Sequence, residues 1–218
     1  MNELRYTLLT DGSADQALMP ILTWLLKQNG VKRAIQPAWA DLRQLPRPPK
    51  HLHERIAVSV ELYPCDLLFV HRDAERIPLD NRVSEIQQAL SRASTRSKDL
   101  VPPTVCVVPV RMQEAWLLFD ETALRKAAGN PNGTQKLNLP NINNVESLPN
   151  PKQHLAQLLQ QASGLSGRRR DSFNTAQAAR RLATLVVDFA PLRTLSAFQH
   201  VEADVARVVR QNGWVLYD

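Results

Sequence analysis

Four consecutive apolar residues, Leu67 to Val70, run directly into His71, Arg72, Asp73, Ala74 and Glu75. A strand with one face in water alternates apolar and polar residues, so an unbroken apolar run predicts a strand buried on both faces. Such a strand needs helices above and below it, which points to a parallel sheet wrapped by helices. The rest of residues 1–130 follows that pattern. "ELRYTLLTDG" predicts a first strand from Leu4 to Thr10, closed by an Asp-Gly turn. "SADQALMPILTWLLKQNG" then places Ala17, Leu18, Ile21, Leu22, Leu25 and Leu26 on one helical stripe, with Ser13 as N-cap and Gly30 beyond the far end. "VKRAIQPAWADL" predicts a second strand and a turn, and a helix over residues 52–62 follows a Pro-rich loop. Residues 80–98 predict another amphipathic helix. "TVCVVPVRM" predicts a further strand with Pro109 near its end, where a ladder tolerates proline. "QEAWLLFDETALRKAAG" predicts one helix ending at Gly129.

After Gly129 the texture changes. Residues 131–150 are rich in Asn and Pro and lack periodicity, so they predict a linker or loop. Residues 151–218 predict a helical subdomain, with helices over 151–163, 174–187 and 197–212 and a short strand or tail in "GWVLYD". The expected architecture is therefore a Rossmann-like α/β domain over 1–130 followed by helices. Hydrophobic content of 44% with 22% charged residues suits a globular protein. No apolar run approaches the roughly 20 residues that span a bilayer. The charged start "MNELRYTLLTDG" lacks the apolar centre of a signal peptide, and the expectation is a cytoplasmic protein without membrane contact. Cys65 and Cys106 have no zinc-type spacing and predict buried thiols. The net charge of +6 favours an anionic partner, with nucleic acid first.

Three strand ends deliver acids to the edge where open parallel sheets bind ligands. "TLLTDGSAD" carries Asp11 and Asp15, "LLFVHRDAE" carries Asp73 and Glu75, and "VVPVRMQEAW" carries Glu114. Mg²⁺ (or Mn²⁺) takes oxygen ligands and keeps several waters, so two or three carboxylates on neighbouring loops suffice. Such an ion activates water and clamps a phosphodiester during in-line displacement. Each acid also has a plainer reading. Asp11-Gly12 is a common turn pair, Asp15 suits a helix N-terminus, and Asp73 and Glu75 can be solvated loop charges. His71 adjoins the same edge and is an acid–base candidate. Trp116 reads as a core residue.

The "DGSAD" after the first strand and the "DAE" after a buried strand resemble the Toprim signature of primases, topoisomerases and the overcoming-lysogenization-defect nucleases. "VPVRMQEAWLLFDETAL" and "LPNPKQHLAQLL" resemble, more closely, an uncharacterised Toprim-like family encoded beside ATPases in phage-defence loci. That resemblance spans Leu4 to about Phe198. It implies a Toprim-like fold and Mg²⁺-dependent cleavage of nucleic acid, DNA ahead of RNA, under the control of an ATPase partner. It implies Asp11 and Asp73 as catalytic groups, and Asp11, Asp15, Asp73 and Glu75 as metal or acid–base groups, with Glu114 beside them. Lys152 in "NPK" would stabilise the scissile phosphate as a point charge, or serve only as a first-turn lysine. Two positions depart from the Toprim pattern: Asp11 stands where the nucleases have Glu, and Glu75 stands where they have Asp. Both keep a carboxylate and change its reach by about one methylene.

"GLSGRRRDSF" adds Arg168, Arg169 and Arg170, and Arg180 and Arg181 follow on the next predicted helix. Planar guanidinium forks suit phosphate backbones, which makes these five the expected nucleic-acid contacts; a solvated loop is the alternative. The leading expectation is a metal-dependent endonuclease acting in anti-phage defence, with homo-oligomerisation open. A catalytically degenerate subunit that binds a partner protein or nucleic acid is the second. A small-molecule phosphohydrolase is the third, disfavoured by the arginines.

Overall fold

The computed structural model describes residues 3–96 and 101–215 of the chain. Strand β1 (Glu3–Leu9) leads through a 3-10 turn (Ser13–Ala17) into helix α1 (Leu18–Gln28), and β2 (Ala34–Trp39) is followed by α2 (Leu52–Leu62). Next come β3 (Leu67–His71), α3 (Leu79–Arg96) and β4 (Thr104–Val107). A second 3-10 turn (Gln113–Leu117) precedes α4 (Glu121–Ala127). The remaining α-helices are α5 (Pro151–Ser163), α6 (Gly167–Asp171), α7 (Thr175–Leu185) and α8 (Ser196–Gln211).

All three strand pairings are parallel, and the sheet order is β2-β1-β3-β4. The α/β expectation holds: this is a four-stranded parallel sheet flanked by helices, compatible with a Rossmann-like fold. The continuous run in β3 is explained by two separate cores. Leu67 and Phe69 pack on one face of the sheet with Leu8 and Val107, in the core that holds α1, α5, α7 and α8. Leu68 and Val70 pack on the other face with Leu9, α2 and α3. Fully burying each such side chain is worth about 1.5–3 kcal/mol, which is why one exposed face would have required polar residues. β2 is an edge strand and the most exposed of the four, and it carries Pro37.

The chain runs from β1 outward to β2 and then crosses back past β1 to β3, so the strand order reverses between β1 and β3. A crevice opens at the carboxyl ends of strands at such a reversal. That places the residues after Leu9 beside those after His71.

Several local expectations are corrected. Ser13 is not the N-cap: the first turn is 3-10, Gly12 precedes it, and the α-helix begins only at Leu18. The "QEAWLLFDETALRKAAG" helix is two pieces: the 3-10 turn ends at Leu117, and Asp120 then caps α4 by accepting the Ala123 N–H at 2.9 Å. Residues 131–150 contain a 3-10 turn (Ile142–Ser147), and Leu137 and Val145 are buried in the same core as β1 and β3. Helices α5, α7 and α8 also pack on that core. The arginine run lies on the short α6 rather than in a loop. Trp116 is fully buried against Phe198, with ring centroids 5.3 Å apart. Cys106 is buried and Cys65 half-buried, both free thiols. Of the C-terminal "GWVLYD", Val215 bridges Val31, and residues 216–218 lie outside the described residues, as do 97–98 of the predicted 80–98 helix. Among the described residues no helix is long and apolar enough to cross a membrane.

Candidate active site

Asp11, Asp15, Asp73, Glu75, Glu114 and Lys152 all line one cleft of about 500 Å³ at the carboxyl edge of the sheet. The strand reversal brings the first two loops together. The third acid arrives because the chain after β4 hydrogen-bonds the chain after β3, through Ala74 N–H to Pro109 O and Glu75 N–H to Arg111 O, both at 3.0 Å. Glu75 and Arg111 have φ of 55° and 61°. Each is a non-glycine residue in the left-handed region, which costs about 1–2 kcal/mol, and the two hold the same turn.

Within the cleft the acids divide into two groups. The inner group surrounds His71, the last residue of β3, which is fully buried. Its Nε2 lies 3.1 Å from Asp73 Oδ1, and its Nδ1 lies 3.5 Å from Asp15 Oδ2. The second distance is an electrostatic contact rather than a good hydrogen bond, and it leaves Nδ1 a buried nitrogen without a hydrogen-bond partner. Asp73 Oδ1 also accepts the Gln113 N–H at 2.9 Å, which ties it to the 3-10 turn bearing Glu114. Asp15 Oδ2 accepts the Gly12 N–H at 3.0 Å.

These contacts set the charges. Burial alone would lower the His71 pKa, but the two carboxylates outweigh it and raise it to about 9, so the ring is an imidazolium at neutral pH. Burial alone would raise Asp15; the His71 contact, the Gly12 N–H and Thr10 outweigh it and hold the carboxyl below its ordinary value. Glu114 moves the other way. Burial raises it, and the charges on Asp73 and Asp15 add to that, against its own backbone N–H and Lys152. The inner group is thus a buried anionic field that already holds one cation.

The outer group is a ladder of ion pairs. Asp11 meets Arg55 through one carboxylate oxygen and Arg72 Nε through the other at 3.0 Å. Arg72 Nη1 reaches Glu85 at 3.2 Å, Arg82 Nη1 reaches the other Glu85 oxygen at 2.7 Å, and Arg82 Nη2 lies 3.8 Å from Glu75. Asp11 and Glu75 therefore both face arginines. Among the described residues, no group of three or more His, Cys, Asp and Glu side chains is gathered closely enough to hold a metal ion as it stands.

Lys152 reaches the cleft from the start of α5. "NPK" has a local reason: Asn150 Oδ1 accepts the Gln153 N–H at 3.0 Å and Pro151 occupies the first turn. A lysine in the first turn sits at the unfavourable end of the helix dipole, so its placement is not explained by helix stability. The five arginines expected to bind nucleic acid do not join the acid cleft. Arg168, Arg169 and Arg170 are exposed on α6, and Arg169 and Arg181 line a separate cleft beside Gly129 and Phe173. Arg180 shares a small cleft with Glu114 and Lys152. Sequence reasoning missed Arg43, Arg55, Arg72 and Arg82. Arg72 and Arg82 flank the Asp73 loop in sequence and could have been suspected, whereas nothing local points to Arg55. No protein-family model, no curated protein and no solved structure matches the chain.

Proposed function

We propose that this is a Toprim-like, Mg²⁺- or Mn²⁺-dependent nuclease that hydrolyses nucleic-acid phosphodiesters at the carboxyl edge of its sheet. The observation that carries the reading is the inner group: Asp15, Asp73 and Glu114 face one cleft, and Asp15 and Asp73 together keep buried His71 charged. Hard oxygen donors in a cation-seeking field fit a divalent ion. Asp15, Asp73 and Glu114 would hold it, after small side-chain movements, with water filling the other positions. Such an ion supplies an activated water and charge stabilisation at the phosphorus. Lys152 at the cleft rim balances charge on the scissile phosphate. His71 fixes the Asp73 carboxylate through its Nε2. The resemblance noted in the sequence adds an anti-phage setting and an ATPase partner for control; the chain itself carries no Walker-type Gly-rich loop.

A second reading is a subunit that binds nucleic acid or a partner protein without cutting. It is favoured by one observation, the engagement of both Asp11 oxygens by arginines. One assay separates the two: supercoiled plasmid and single-stranded RNA incubated with the protein in Mg²⁺ or Mn²⁺, with and without the ATPase partner. Cleavage by the wild type that Asp73→Ala abolishes supports the nuclease. No cleavage under any combination, or equal cleavage by Asp73→Ala, refutes it.

A further inference from the structure

The Asp11 ion pairs are built the wrong way round for a metal ligand. The Asp11 side chain is 49% exposed, whereas the guanidinium-bearing side chains that grip it, Arg55 and Arg72, are 17% and 25% exposed. The cations are the anchored partners. Arg55 also donates to the Thr10 carbonyl, and Arg72 is held by Glu85 and by its own N–H to Val107 O. The carboxylate is the solvent-facing partner and the one that can be displaced. Two guanidinium groups converging on one small anion, each fixed from behind, is the arrangement that receives a phosphate, because planar forks bind its oxygens in pairs and pre-ordering lowers the entropy cost.

The surroundings extend this geometry. Arg55 and Asp11 also line a side cleft of about 170 Å³ between the end of β2 and the start of α2, together with Arg43 and Lys50. Arg43 and Asp11 line both the side cleft and the acid cleft, so the two are continuous at Asp11. Arg43 is kept in place by Asp41, at 2.8 and 3.0 Å, and lies 4.9 Å over the Trp39 ring.

We propose that Arg55 and Arg72 form a phosphate subsite for the nucleic-acid backbone, next to the scissile phosphate, and that Asp11 is the built-in anion that occupies this subsite until substrate displaces it. The subsite rests on the nucleic-acid reading above and deepens it: the backbone enters along the side cleft, past Arg43 and Lys50, rather than over Arg168 to Arg170. No bond is made or broken; one anion replaces another on the same two cations.

The sign of one substitution tests this. Binding of a short fluorescein-labelled DNA duplex, its single strand and the matching RNA strand is measured by anisotropy in EDTA over a range of salt, so that cleavage plays no part. Asp11→Asn keeps the shape and removes the competing charge, and is expected to tighten binding several-fold. Arg72→Ala is expected to weaken binding and to reduce the slope of log K against log salt by about 1, with Arg72→Lys restoring the slope. Arg168→Ala is expected to leave both unchanged. A merely structural role for Asp11 predicts the opposite sign. Weaker or unchanged binding by Asp11→Asn, an unchanged salt slope in Arg72→Ala, or no binding of any strand by the wild type overturns the subsite. Melting curves of each variant separate misfolding from lost contacts, and Arg55→Gln provides the second reading if Arg72→Ala fails to fold. The nuclease reading fails separately, by intact binding with no metal-dependent cleavage.

Discussion

The two charge groups of the acid cleft use the same residue types to opposite effect. The inner group is one imidazolium among three carboxyls, with His71 wholly out of water and Asp15 and Glu114 buried. The outer group alternates arginine and carboxylate, and its acids Asp11 and Glu75 are 49% and 67% exposed. Burial removes the water that would screen each charge, so His71, Asp15 and Glu114 have shifted proton affinities, whereas pairs with a solvent-facing member are generally weak. The proposed function uses this division: a buried group of carboxyls would suit a resident cation, and an exposed balanced ladder would suit a partner that comes and goes.

The largest expected effect sets the groups directly against each other. Asp73→Ala leaves His71 without its closest counter-charge and the Gln113 N–H without its acceptor. It is expected to destabilise the metal-free protein by about 3 kcal/mol, while Asp11→Ala costs less than about 1 kcal/mol. Urea denaturation in EDTA measures both, and equal losses would erase the distinction.

A second test uses pH. His71 is raised on folding from 6.5 to about 9, so its stabilisation is fully present below pH 6.5 and is lost as pH rises through about 9. Metal-free protein should lose on the order of 3 kcal/mol across that window, and His71→Gln should flatten the profile. Asp15 is lowered below its ordinary 3.8, so its share is present above that value and is lost on acidification below it.

Glu114→Gln sharpens the comparison within the inner group. Its carboxyl is held above the ordinary range by burial and by its acidic neighbours. Removing the charge should slightly stabilise the metal-free protein, because burial disfavours the charged form. The same change should weaken Mn²⁺ binding, read by titration calorimetry. The opposite movement of stability and metal affinity marks a ligand, and parallel movement would assign Glu114 to the core. The smallest effect belongs to the remote arginines: replacing Arg168, Arg169 and Arg170 together by Ala should change stability by less than about 0.5 kcal/mol, since none is buried.

The strands and their acids were legible because both signals are local. An unbroken "LLFV" demands two covered faces, and Asp11, Asp15, Asp73, Glu75 and Glu114 follow their strands closely enough to share an edge. Lys152 was legible only through the resemblance carried by "NPK"; the capping by Asn150 explains its position afterwards. The arginines of the acid cleft were not legible. Clustering in sequence made Arg168 to Arg170 conspicuous, yet they stand on an exposed five-residue helix away from the acids. Arg55, which does reach Asp11, is 44 residues away in the chain and carries no local mark.

Periodicity and the positions of acids relative to apolar runs are properties of neighbouring residues, so the sequence alone determined a parallel α/β sheet with carboxylates at one edge. Which carboxylates are buried around His71 and which are paired with arginines depends on contacts between β1, α2, β3, α3 and the turn after β4. Those contacts exist only once the chain has crossed back past β1 and closed the crevice. Depth from solvent then decides whether a charge is held or exchangeable, and depth is a property of the folded molecule alone.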